Sequence, residues 1–139
     1  MSKILYDYFV TPFISNKELV AIYYSILPIR LSSKYKIYHN SIRCIVDSGS
    51  DFNLFPAEIG EVVGISIKNG EKAAHKGIGD FKITAYRHTV TIYLEDYKFH
   101  TEVNFSYEHK VPILGRYGFF DRFKKIVFNE SKLLLELHY

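Results

Sequence analysis

The chain reads as all-β, a barrel or sandwich with one or two short helices. Three observations predict this. Most apolar segments are rich in β-branched and aromatic residues, and 12 Tyr and 11 Phe with no Trp bring aromatics to 17% of the 139 residues. The segments are short and bounded by polar turns. In the clearest of them Val90, Ile92 and Leu94 alternate with Thr89, Thr91 and Tyr93, the period of a strand with one buried face. The length suits one domain over 1–139, and 47% hydrophobic with 24% charged residues excludes a disordered or collagen-like chain.

In chain order, Ile4 to Phe13 forms a first strand-like piece, ended by the polar break Ser15-Asn16-Lys17-Glu18. Leu19 to Leu31 is apolar but interrupted at Pro28, so it predicts two strand pieces or an edge strand. Tyr35–Tyr38 and Ile42–Val46 are expected to be hairpin arms turning at His39-Asn40-Ser41. Pro56 to Val63 predicts a helix, with Pro at its start, an early acid and Gly64 as its stop. Phe81–Leu94 and Tyr97–Phe105 flank Glu95-Asp96 as a second hairpin, and Phe119–Phe123 suits one helical turn. Ile126–Phe128 and Leu133–Leu137 pair about Asn129-Glu130-Ser131. The Leu133–Leu137 strand is too apolar for an open edge, which leaves a contact between subunits or an ordinary core strand. Residues 1–25 are an N-terminal extension that could enlarge the barrel, cover a groove or build a subunit contact.

Several function classes fall away. No apolar run reaches the ~18 residues of a membrane span, and Asp7 interrupts what would be the core of an export signal. A cytoplasmic protein without a membrane partner is therefore expected. The lone Cys44 excludes an internal disulfide and any paired-cysteine metal site, and reads as a small core residue. The six histidines show no ligand spacing, so no metal and no other cofactor is expected. The net charge is +3, and the basic residues Arg116, Arg122, Lys124 and Lys125 are broken up by Tyr117, Phe119, Phe120, Asp121 and Phe123. That is a solvated surface, and no nucleic acid partner is expected. A G-x-S-x-G elbow is missing around Ser48 and Ser50, and Gly77-x-Gly79 lacks the third glycine of a dinucleotide loop. Tyr6, Tyr8, Tyr23 and Tyr24 suit strand packing as well as a groove.

The chemistry concentrates in Ile45-Val46-Asp47-Ser48-Gly49-Ser50-Asp51-Phe52. An apolar strand delivers an aspartate, a hydroxyl and a glycine, a combination that by itself commonly just ends a strand. Phe52–Phe55 resumes apolar sequence at once, so the loop lies against the core. Lys76-Gly77-Ile78-Gly79-Asp80 follows as a hairpin tip with an apolar point, and Val111-Pro112-Ile113-Leu114-Gly115-Arg116 as a strand whose glycine lets another backbone pass closely.

This order of motifs, from roughly Ile26 to Leu137, resembles the retroviral-type aspartic proteases (retropepsins), and most of all their small stand-alone prokaryotic members. The resemblance implies a closed, mostly antiparallel β-barrel and a set of roles. Asp47 would be the catalytic carboxylate. Ser48 would hydrogen-bond across a two-fold axis, and Gly49 would offer its carbonyl to a substrate backbone. Ser50 would bond the outer carboxylate oxygen. Gly77-Ile78-Gly79 would be the flap, and Ile113-Leu114-Gly115 the strand beneath the loop. Arg116 would pair with Asp51.

Aspartic peptidase chemistry needs two carboxylates sharing one proton. The other aspartates (Asp7, Asp51, Asp80, Asp96, Asp121) precede no hydroxyl-Gly pair, so one chain holds half a site. A C2 homodimer completes it with no second motif. The expected activity is endopeptidase cleavage of extended polypeptides. The alternatives are a catalytically idle retropepsin-fold dimerisation or peptide-binding module, and an unrelated β-barrel binding protein.

Overall fold

The computed structural model describes residues 2–76 and 81–139. The strands are β1 (Lys3–Asp7), β2 (Phe9–Ser15), β3 (Glu18–Tyr24), β4 (Ile26–Ser32), β5 (Ile37–Val46) and β6 (Leu54–Pro56), followed by helix α1 (Ala57–Val62). Then come β7 (Glu71–Lys76), β8 (Lys82–Tyr93), β9 (Lys98–Ser106), β10 (Ile113–Leu114), β11 (Lys125–Asn129) and β12 (Leu134–His138). Short 3-10 turns lie at Ile67–Asn69 and Phe120–Arg122. The all-β expectation holds.

Seven strands form the main sheet in the order β4-β5-β10-β6-β9-β8-β7, and β4 also pairs with β8. Six of them therefore make a ring of pairings, with β7 hanging on β8. Two pairings are parallel, β10 with β5 and β6 with β9. The sheet is thus mostly antiparallel, as expected, and the two parallel pairings arise because β6 and β10 are short inserts reached by crossing connections rather than by hairpins.

The ring encloses Leu27, Ile29, Leu31, Val90, Ile92, Val103, Phe105 and Leu114, all almost fully buried. Val90, Ile92 and Leu94 point inward as their alternation required. Phe55 meets Phe105 edge to face at 6.1 Å between ring centres, a preferred aromatic geometry. A second cluster explains much of the aromatic content: Tyr97 stacks on Tyr139 at 4.4 Å, and Phe99, Phe119 and Phe123 pack around them.

Helix α1 begins after Pro56 and stops where expected. Gly64 takes φ +79°, donating its N–H to the Glu61 carbonyl while Ile65 N–H reaches back to Gly60. These two bonds are the Schellman closure, and they need a residue at ease in the left-handed region.

Two elements differ from expectation, and one of two open readings is decided. The break after β3 falls at Ser25, not at Pro28. Pro28 sits inside β4 where only β5 is its neighbour, because β8 joins β4 only from Arg30 to Ser32. His39-Asn40-Ser41 is not a turn: β5 runs straight through it. The pairing jumps from Ile29↔Ile42 to Leu31↔Tyr38, so the polar triplet bulges out of the ladder. The actual turn lies earlier, closed by Ser33 N–H on the Lys36 carbonyl. Finally, the apolar C-terminal strand is a core strand of its own chain. β12 is flanked by β1 and β11, and Leu135 and Leu137 are buried.

Candidate active site

Strand β5 ends at Val46 and hands Asp47 to a tight loop. Asp47 N–H donates to the Leu114 carbonyl at 3.0 Å, and Ser50 N–H closes a turn on the Asp47 carbonyl at 3.1 Å. The Asp47 carboxylate turns back over its own loop, where Oδ1 accepts the Gly49 N–H at 2.9 Å. A Cβ on Gly49 would stand 3.2 Å from that same oxygen, so the glycine makes room for the carboxylate. Asp47 is half-buried, while Ser48 and Gly49 are exposed at the surface. The loop thus offers a half-buried acid held on one oxygen.

Beneath the loop, Ile113 and Leu114 run parallel to Ile45 and Val46. Gly115 follows, and the Phe52 backbone passes so close that a Cβ there would collide with the Phe52 carbonyl. The obstacle is backbone, which cannot swing aside as a side chain can. The two segments are laced together: Arg116 N–H donates to Ser50 O at 2.9 Å and Tyr117 N–H to Asp51 O at 2.7 Å.

Asn53 is the residue that sequence reading missed. It is fully buried at the centre of this junction. Its Oδ1 accepts the Gly115 N–H at 3.0 Å, and its Nδ2 donates to the Glu102 carbonyl at 3.1 Å. Its own carbonyl receives the Asn104 backbone N–H and side-chain Nδ2. The available signal was an amide inside Phe52-Asn53-Leu54-Phe55, since a polar group in an apolar run must find partners inside the fold.

Two expected side-chain contacts are not formed in the single chain. The Ser50 hydroxyl donates to the Phe52 carbonyl at 2.8 Å instead of the Asp47 carboxylate. Asp51 and Arg116 are both exposed, and among the described residues no ion pair joins them. Their segments are tied instead by backbone bonds and the Asn53 amide. Arg116→Ala is accordingly expected to change chain stability by less than about 1 kcal/mol, as for a surface charge, where a buried pair would cost about 3–5 kcal/mol; denaturant unfolding distinguishes the two. The flap residues Gly77, Ile78 and Gly79 lie outside the described residues. β7 and β8 lead to them, pairing as far as Lys76↔Lys82.

A cavity of about 720 Å³ is lined by Ser33, Tyr35, Arg87, His88 and His100 among others and contains none of the expected site residues. Next to the Asp47 loop instead stands an aromatic group. Phe52 meets His75 edge-on at 5.8 Å and Tyr117 at 6.0 Å. Burial pushes the His75 imidazole below its ordinary range and the Arg87 guanidinium adds to this, against an opposing contribution from Asn104. Even so, His75 Nε2 and Asn104 Oδ1 share no hydrogen bond of good geometry. His109 is likewise lowered by burial, opposed by a backbone bond at Val111.

Both rings are neutral, folded or unfolded, well above the ordinary histidine value of about 6.5. Below it the unfolded chain takes up protons that the fold resists. Stability is therefore complete above that value and is lost as the pH falls through it. The melting temperature should drop from pH 7.5 to 5.5 (roughly one unit either side of that value), and His75→Asn with His109→Asn should flatten the drop. Equal slopes for the two proteins would count against these histidines as its source.

A D-S-G loop at the end of one strand thus stands against a glycine-ended strand within an all-β ring. Among solved structures the chain is similar to a retropepsin-like aspartic protease from Rickettsia conorii, with a TM-score of 0.62 and 13% identity over 99% of both chains. It is also similar to the EIAV protease complexed with the inhibitor HBY-793, with a TM-score of 0.52 and 17% identity over 67% of this chain and 82% of that one. No family model and no curated protein matches the chain. At such identities the likeness is one of fold. Among the described residues no helix is long and apolar enough to cross a membrane.

Proposed function

We propose that this chain is one subunit of a C2 homodimeric aspartic endopeptidase whose ring of six strands acts as a closed barrel. The observation that carries the reading is Asp47 itself. It is half-buried at a strand end, fixed on Oδ1 by Gly49 N–H, and set on a floor that Gly115 lets pack backbone to backbone. One such loop is half a site, and a two-fold axis beside it supplies the other half.

With two Asp47 carboxylates sharing one proton, the ionised one takes a proton from water as the water oxygen attacks the peptide carbonyl. The protonated one donates to the carbonyl oxygen and stabilises the tetrahedral intermediate. A proton then passes to the leaving nitrogen, and the C–N bond breaks. The substrate is an extended polypeptide bound as an added strand, with apolar side chains near the cut. Ser48 links the two loops across the axis, and Gly77-Ile78-Gly79 closes over the substrate.

The test is cleavage of unfolded casein at mildly acidic pH. Specific activity should rise with protein concentration as half-sites pair, and a statine-type inhibitor should abolish it. A particle that stays monomeric at every concentration sinks the reading. The Ser50 hydroxyl, engaged by Phe52 rather than by the carboxylate, favours a second reading: an idle dimeric module that binds peptide without turnover.

A further inference from the structure

β2 and β3 form a two-stranded ribbon that pairs with no other strand among the described residues. Its turn, Asn16-Lys17, has φ of 50° and 64°, the left-handed pair of a type I′ hairpin. Register and strand alternation put Val10, Pro12 and Ile14 on one face with Tyr23, Ala21 and Leu19 opposite them. All six are apolar and all six are exposed, with Ile14 at 72% and Leu19 at 75%. The other face leans back at its base: Phe9 and Ile22 are half-buried, and the Arg43 guanidinium lies 4.7 Å from the centre of the Phe9 ring. A lone ribbon with a bare apolar face is marginal in water, so this face calls for cover.

Resting on the dimeric reading above, we propose that this ribbon face packs on a second copy of the same chain and supplies a main part of the subunit contact. Three observations choose that occupant. The ribbon leaves the body beside the candidate site: Val46 N–H donates to the Ser25 carbonyl at 2.8 Å, and Ser25 Oγ donates to the Val46 carbonyl at 3.0 Å, one residue before Asp47. A pair that brings two Asp47 loops together puts both ribbon bases next to the axis. The strand otherwise suited to the contact, β12, has both edges paired within its own chain. The site is also incomplete without the second copy.

The test is the full chain carrying Ile14→Glu and Leu19→Glu, compared with the unchanged chain by sedimentation across concentrations and by casein cleavage, with circular dichroism to check the fold. The dimer dissociation constant should rise at least about 100-fold, since each substitution buries a charge in an apolar contact. Cleavage should fall at low concentration and recover at high concentration. If the variant pairs as tightly as the unchanged chain, this inference fails while the peptidase reading stands; faster cleavage by such a variant would assign the ribbon to the chain's own groove. If the unchanged chain never pairs, both fail.

A second measurement does not depend on the charged variant folding. Cys44 is buried, so Ile14→Cys gives one accessible thiol. Its maleimide labelling should slow at least about tenfold above the association midpoint, as expected for a residue excluded from water in the contact. An unchanged labelling rate overturns the proposal.

Discussion

Asp47→Asn is expected to lower casein turnover on the order of 10³-fold or more while leaving folding and pairing intact. The amide keeps the shape of the carboxylate and its oxygen can still accept the Gly49 N–H. What it cannot do is take a proton from water, and general-base assistance is worth about 10²–10⁴ in rate. The symmetric site makes the prediction sharper. Every mixed dimer has one carboxylate and is inactive, so adding an equal amount of the variant to a fixed amount of unchanged chain should cut the activity to about half as subunits exchange. A monomeric enzyme would show no such loss on mixing. Retained cleavage by the variant alone, measured after removal of contaminating proteases, would remove Asp47 from the chemistry.

The main elements of the fold were legible because burial and local pattern agree in them. The β8–β9 hairpin alternates cleanly over Thr89–Leu94 and has a polar Glu95-Asp96 turn, and α1 has Pro56 and Gly64 at its ends. The misreadings arise where tertiary contacts decide. Polar His39-Asn40-Ser41 looks like a turn, but strand β4 holds both flanks in place and lets the triplet bulge. Ser25 carries no local breaker signal; it ends β3 because its side chain and carbonyl clamp Val46, 21 positions along the chain. The Asn16-Lys17 turn lacks the glycine that usually announces such a hairpin, so only a polar break was visible.

The site divides in the same way. Asp47, Gly49 and Gly115 were legible because a strand end with a small residue, and a backbone crossing that admits no side chain, leave their mark in residue type. Asn53 was not, since its partners are the backbone groups of Gly115, Glu102 and Asn104, which side-chain identity does not encode. The Asp51–Arg116 pairing was implied by the retropepsin resemblance, and in the single chain the same segments meet through backbone bonds and the Asn53 amide instead. The apolar ribbon misleads in another sense: its residues look like core, yet one whole face lies open.

The junction under the Asp47 loop should be the most sensitive part of the fold outside the apolar core. Asn53→Leu is nearly isosteric but leaves the Gly115 N–H and the Glu102 carbonyl without their partners. Orphaning two buried polar groups costs about 1–3 kcal/mol each, so a loss of roughly 2–5 kcal/mol is expected, a large share of a small domain's stability. Gly115→Ala reaches the same junction from the other side. Its Cβ meets Phe52 backbone, so relief requires the Asp47 and Gly115 segments to move apart, stretching the same Asn53 bond. The two substitutions act on one contact, and their double variant should therefore lose clearly less than the sum of the singles. Urea unfolding of the four proteins measures this directly. Additive losses, or an Asn53→Leu chain within about 0.5 kcal/mol of the unchanged one, the range of an ordinary surface substitution, would mean that the buried amide does not tie the carboxylate loop to its floor.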